Sequence, residues 1–394
     1  MKSSSAIRVM VLPSWYPPRG GQFFREHSQA IAQAGARVNV LALNPKGLKS
    51  MFSQKEKTGN DFAWVRDFKE EIRPYPVIPF SARANAKSWT RQLTRMTKIH
   101  LASQGEPDLI QVHSSMWAGL VAARIKRDFG IPYVLTEHRG RFISDSLTAS
   151  ALFRKWHIPL LREAFEGADI VVTVSQALQA KILEISPACR DKMVTIPNMV
   201  DTRFFSTPLN KKPPPPFVFF CLAHLDPLKG VDTLIRAADL LIKKGEVPIR
   251  LLIGGEGSQK AQLREMVRKS GNESFISFSG HLEREGVRHC LHRAHAFVLP
   301  SRFEAFGVVF IEAMACGLPV IASNAGGASD FVGRETGLLV PPDDPVRLAR
   351  AMELITKTLP QYNPESVRNH VQSNFSKGVV AEKYLELYKS IIPK

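Results

Sequence analysis

Cysteine is sparse. Cys189, Cys221, Cys290 and Cys316 are scattered through 394 residues and form no CxxC pair. Neither a zinc site nor a disulfide framework can be written from them, and they read as reduced thiols of a cytosolic protein. No apolar run approaches the ~18 residues of a membrane-spanning helix. The short apolar run ending at Pro13 is too brief for a signal peptide and fits a first β-strand. No DxD triplet occurs, so no metal is expected; the paired acids of PPDDP, 341–345, read as a turn. Acid is scarce in the first half: residues 1–200 hold 28 Lys+Arg against 16 Asp+Glu, and residues 201–394 hold 25 against 20. That excess, within a formal charge of +17, favours an anionic partner or serves solubility alone.

What is present is a repeated alternation. Continuous apolar, β-branched runs at 7–13, 37–43, 108–113, 132–138, 169–175 and 193–198 alternate with helical patterns such as Phe24–Ala34 and Leu152–Phe165. Runs of this kind suit parallel strands buried on both faces, hence a doubly wound α/β domain. STPLNKKPPPP, 206–216, then stops any helix or central strand and reads as a stiff linker. The alternation restarts at 217–223, 249–255, 275–280, 295–300, 319–323 and 337–341. The expected architecture is two Rossmann-like domains, 1–205 and 206–376, facing a central cleft. A final helix within 377–394 packs back on the first.

The stretch SRFEAFGVVFIEAMACG, 301–317, keeps two carboxylates in apolar surroundings. Ser301–Gly307 is a strand-to-helix loop at the carboxyl edge of a sheet, where such folds bind ligands. The amides near Gly307, Val308 and Val309 open a helix and offer an anion site. Glu312 lies on that helix with Val308, Val309, Ala315 and Cys316 one turn away. A buried carboxylate is costly unless paired or hydrogen-bonded. Ligand hydroxyls meet that need, as would an internal salt bridge; Glu304 stands beside the same helix end or in a solvated loop. An anion at a helix end with hydroxyls facing two carboxylates describes a sugar nucleotide.

The pattern Glu304, seven residues, Glu312 resembles the retaining glycosyltransferase family 4, with its two-domain GT-B fold. So do PPRGGQFFREHSQAIAQAGARVNVLAL, VLTEH, VSQAL, IPNMVDTRFF, LAHLDPLKGVDTLIRA, GGEG and GGASDFV, in that order. The resemblance implies transfer of a hexose-type sugar from a nucleoside diphosphate sugar, with no cofactor beyond that co-substrate. It assigns Glu312 to the nucleotide ribose, Glu304 to the transferred sugar, Lys229 to the diphosphate, and the backbone of Phe306, Gly307 and Val308 to both. Gly20 and Gly21 would let the first loop approach the donor, and Gly255 and Glu256 complete the donor set. His138 would face the sugar and position or protonate reacting groups. One departure stands out: His224 occupies the place of the family's arginine, giving up a bidentate fork, with Arg302 or another base to compensate.

The acceptor side is basic. Arg83, Lys87, Arg91 and Arg95 are spaced by four and line one helical stripe, with Trp89, Leu93 and Met96 on another. Two readings stand: a monolayer-binding helix with an interfacial Trp89, or a helix packing its apolar side on the sheet. The first would hold the enzyme peripherally at the inner face of the plasma membrane. Arg25, Arg139 and Arg141 are placed to grip an acceptor phosphate. The expected acceptor is a glycan or lipid-linked hydroxyl in cell-surface polysaccharide or glycolipid synthesis. The alternative is a nucleotide-sugar binder of epimerase, phosphorylase or silent type. Nucleic acid is not expected, because aromatics do not interleave with the basic run.

Overall fold

The computed structural model describes residues 6–18, 20–47, 67–77, 81–139, 155–208 and 216–392. Strands β1 (Arg8–Pro13), β2 (Arg37–Gly47), β3 (Phe68–Val77), β4 (Leu109–His113), β5 (Tyr133–Glu137), β6 (Ile170–Thr173) and β7 (Met193–Thr195) form one sheet, ordered β3-β2-β1-β4-β5-β6-β7. A second sheet is built from β8 (Phe217–Leu222), β9 (Ile249–Gly254), β10 (Ile276–Gly280), β11 (Ala296–Leu299), β12 (Val320–Ser323) and β13 (Gly337–Val340), ordered β10-β9-β8-β11-β12-β13. Counted from its own first strand, each runs 3-2-1-4-5-6, the doubly wound order, with β7 appended to the first. Pairing is parallel throughout, as in Val11↔Val40 and Phe297↔Val320. Every residue of β4, β5, β11 and β12 is buried, which is why these strands read as unbroken apolar runs.

Strand β3 was not expected. Its sequence, FKEEIRPYPV, is charged and holds Pro74 and Pro76. Both features suit a sheet edge, where one row of backbone groups stays outside the ladder and proline costs no hydrogen bond.

The lobes are tied where the chain crosses and returns. Val200 bridges Ser376, and the Val200 N–H donates to the Phe375 carbonyl at 2.8 Å. The helix Lys377–Ile391 then lies on the helix Gln22–Gln33 with Tyr384 and Tyr388 buried. The Tyr388 hydroxyl donates to Gln111 Oε1 at 2.8 Å. Most of the proline stretch, 209–215, lies outside the described residues. Among the described residues no helix is long and apolar enough to cross a membrane.

The basic helix, Ala82–Gln104, corrects one expectation. Trp89 is 6% exposed and belongs to the core with Leu93 and Met96. It packs on β2, because a helix covering a doubly wound sheet must turn its apolar stripe inward. Trp89 is therefore no membrane anchor. Arg83, Lys87, Arg91 and Arg95 form the exposed stripe opposite, with the Arg83 guanidinium over the Trp156 ring.

Candidate active site

Each sheet has a topological switch point, between β1 and β4 and between β8 and β11, and loops leaving carboxyl ends there build ligand sites. The lobes touch beside them. The Ser175 hydroxyl, after β6, donates to the Ala305 carbonyl at 2.6 Å, and the Gln176 N–H donates to Asp330 Oδ2 at 2.8 Å.

In the second lobe the helix Val308–Ala315 starts at Gly307, whose φ of 87° is left-handed and whose position carries no side-chain cap. A Cβ there would lie 2.5 Å from the Phe310 ring. Glycine is thus required by the turn itself, and the first amides of the helix are left open to an anion. The Phe306 ring is buried against Phe331, so its backbone, not its side chain, belongs to the loop surface. Val308 is half-buried beside it.

Glu304 accepts from Lys229 Nζ at 2.6 Å. Lys229 ends the short turn Pro227–Lys229, capped by Asp226, which accepts from the Leu228 N–H at 3.0 Å. Burial alone would lower the lysine; the Glu304 carboxylate outweighs it and holds the ammonium above its ordinary range. The residues expected to meet sugar and diphosphate therefore pair with each other.

Glu312 differs. Burial pushes its carboxyl up to about 7; Arg284 pulls it down and Glu26, from the first lobe, pushes it further up. Arg284 Nη1 is 3.0 Å from Glu26 Oε1. Glu312 thus stands where the lobes meet, partly exposed and with no ion pair among the described residues.

Gly255, with φ 115°, brings the backbone against the Ala223 carbonyl, leaving no room for a Cβ. Glu256 pairs with Lys260 at 2.5 Å, and its carbonyl accepts from His224 Nδ1 at 2.7 Å. The exposed His224 is thereby anchored to the donor-side loop. Arg302 does not compensate for the missing arginine: its guanidinium is held by Asp232 at 2.9 Å and Asp343 at 2.8 Å.

In the first lobe Gly20 and Gly21 have φ of 81° and 78° and form the turn before the helix Gln22–Gln33, against Trp15. The Arg139 guanidinium lies 3.2 Å from the Trp15 ring centre. Arg25 requires correction. It is buried and forked onto Glu70 at 2.7 and 3.0 Å, so it holds β3 to the first helix and is not offered to an acceptor. Arg141 lies outside the described residues.

His138 follows β5 directly. Its Nδ1 is 2.9 Å from Asn198 Oδ1 and its Nε2 is 3.0 Å from His113 Nδ1. Both ring nitrogens are thus engaged within the first lobe. The buried Glu137 beside it accepts from the Ser114 hydroxyl, the Ser115 hydroxyl and N–H, and the N–H groups of His138 and Arg139, at 2.7 to 3.0 Å. This carboxylate fixes the loops after β4 and β5 together, with Ser114 held at φ 67°. Glu137 escapes a reading from sequence, although an acid inside an apolar strand is the same signal that marks Glu312.

Comparison with known proteins decides the class. The model described as Glycosyltransferase Family 4 matches residues 20–204, and that of Glycosyl transferases group 1 matches 203–364. The chain belongs to glycosyltransferase family 4. This glycosyltransferase is 28% identical over 403 residues to a Mycobacterium tuberculosis glycogen synthase, covering 97% of this chain and 94% of the relative. It is 24% identical over 372 residues to a Corynebacterium glutamicum GDP-mannose-dependent monoacylated alpha-(1-6)-phosphatidylinositol monomannoside mannosyltransferase, covering 85% and 95%. Its fold matches a sucrose-phosphate synthase from Thermosynechococcus elongatus with a TM-score of 0.78 at 24% identity, covering 98% and 99% of the chains. Anabaena HepE in complex with UDP and glucose matches with a TM-score of 0.71 at 19% identity, covering 98% and 100%. The architecture is GT-B, and the enzyme uses a nucleotide sugar.

Proposed function

We propose that the enzyme transfers a hexose from a UDP- or GDP-sugar, with retention of anomeric configuration, to a hydroxyl of a glycan or lipid-linked acceptor. The observation that carries this reading is the Glu304–Lys229 pair beside the open helix start at Gly307, with Glu312 unneutralised on the same helix. A sugar diphosphate answers all three. Its phosphates take Lys229 and the helix amides, its sugar hydroxyls turn to the freed Glu304, and its ribose hydroxyls donate to Glu312. The charge that develops on the leaving diphosphate then falls on groups already fixed to receive it. Glu137 and His138 position the first-lobe wall of the cleft, and no protein nucleophile is needed when the leaving phosphate accepts the acceptor's proton.

The first lobe takes the acceptor and the second the donor. The exposed stripe of Lys87, Arg91, Arg95 and Lys98, with Arg124, lines a basic groove suited to anionic headgroups around a lipid-linked acceptor. Charge rather than an inserted tryptophan carries that contact, so it weakens as salt rises.

Turnover of a sugar-nucleotide panel, with and without a lipid-linked acceptor, tests the reading. NMR of the product should show the donor's anomeric configuration. An inverted product, or no acceptor-dependent release of nucleoside diphosphate, would contradict it.

A further inference from the structure

Three histidines from three elements meet beneath the first-lobe wall. His113 ends β4, His138 follows β5, and His27 lies on the helix Gln22–Gln33. His27 sets its ring at 4.7 Å and 84° to His113, and Phe24 stacks on His113 at 4.8 Å and 16°. They do not make a metal site. The facing nitrogens of His113 and His138 are at hydrogen-bond distance from one another, so they do not converge on a common point.

The hydrogen bonds run in one direction. Asn198 Oδ1 is an acceptor, so His138 Nδ1 carries the proton that faces it. His138 Nε2 is then a bare lone pair, and His113 Nδ1–H must donate to it. That leaves His113 Nε2 as an acceptor, buried and without a partner among the described residues. Reversing the chain would require Asn198 to present its amide N–H in place of Oδ1 and would put a second unpartnered N–H beside His27, whose two ring nitrogens already lack partners among the described residues. The interior favours neutral rings: burial pulls His138 down to about 4 and His27 to about 3, and moves His113 the same way.

We infer that His113 and Asn198 are positioning residues of the transfer reaction, acting through His138. Between them they fix the Nδ1–H tautomer of His138, its ring plane and its neutral state, so that the strand end facing the sugar is set before the donor arrives. The functional half of this inference rests on the proposed transfer; the tautomer does not.

The other groups facing His138 are few. Glu137 favours its charged form and Arg139 opposes it, Phe23 and Phe24 cover the ring, and His27, which Tyr384 of the C-terminal helix abuts, lies behind His113. A hydrogen bond donated to a neutral imidazole's lone pair stabilises the neutral form. Removing His113 therefore raises the His138 pKa, and the acid limb of kcat at saturating donor, where Glu312 is already ionised by the bound ribose, moves up with it.

The test is two-bond 1H–15N correlation of 15N-histidine-labelled protein, alongside pH profiles of wild type, His113→Phe and His113→Asn. We expect His138 protonated on Nδ1 and bare on Nε2 in ligand-free wild type. His113→Phe, which keeps the stack on Phe24, should shift the acid limb upward by about one pH unit, and His113→Asn, whose amide N–H replaces the donor, should restore it. A His138 proton on Nε2 in wild type overturns the inference. So does an unmoved acid limb in folded His113→Phe. Should that variant not fold, the wild-type tautomer and the His113→Asn profile decide. Failure of all sugar-nucleotide turnover would count against the proposed function while the tautomer reading stands or falls alone.

Discussion

Glu312 is held near neutrality because the helix it sits on is otherwise apolar and the neighbouring Arg284 is drawn to Glu26. Its carboxyl lies at about 7, above the ordinary range, so in free protein the group is part-protonated at neutral pH. Ribose hydroxyls donate to the ionised form, so binding favours ionisation and releases a proton. Donor affinity should therefore rise as pH increases through 7, and calorimetry in buffers of different ionisation enthalpy should show proton release. The folding linkage has the opposite sign. A raised carboxyl pKa stabilises the fold at low pH, and that contribution is lost as pH climbs through about 7. Glu304 is handled otherwise, by Lys229. Glu304→Gln leaves that ammonium unpaired and removes a hydroxyl acceptor, and turnover should fall about 100-fold with a smaller change in nucleotide affinity, read by steady-state kinetics. The need for these acids was legible in the sequence, because a carboxylate among apolar neighbours must be explained. Their ion partners were not. Lys229 is 75 positions from Glu304, and the Glu70 that claims Arg25 lies on β3, the one strand whose pattern hid it.

Strands buried on both faces announced themselves; β3, half solvated at an edge, could not, since charge and proline there cost nothing. The basic helix was legible as amphipathic, but a stripe of Trp89, Leu93 and Met96 does not say whether lipid or protein covers it. The sheet it lies on decided that. At this scale Gly307 is the critical turn. Gly307→Ala places a Cβ against Phe310 at a φ of 87°, so the helix start must shift. Thermal unfolding should show a loss of about 1–3 kcal/mol together with weakened nucleotide binding. The basic stripe makes its own prediction: Arg91→Ser with Arg95→Ser should lower binding to anionic liposomes at low salt and leave melting unchanged, because both side chains are exposed. Equal liposome binding would end the membrane reading.

Between the lobes a small charge cluster joins four elements. Lys377 reaches Asp201 at 2.7 Å and Glu26 at 3.2 Å, while Arg284 reaches Glu26 at 3.0 Å. Arg368 adds hydrogen bonds to the carbonyls of Thr202, Phe205 and Ala315, binding the crossover to the end of the Glu312 helix. Partly exposed ion pairs contribute only about 0.2–1 kcal/mol each, enough to bias a hinge without locking it. Lys377→Ala should therefore raise the radius of gyration in solution scattering, with donor restoring the compact form. An unchanged radius would show that the other contacts between the lobes, among them Ser175–Ala305, Gln176–Asp330 and Arg284–Glu26, hold them without Lys377.

The most direct measurement is calorimetric titration of wild type and Glu312→Ala with UDP and GDP. One of the two should bind wild type, and the variant should lose about 100-fold in affinity, the worth of two hydrogen bonds to a carboxylate. Equal affinity in both proteins, or no binding of either nucleotide to wild type, would contradict the assignment of the second lobe as the donor site.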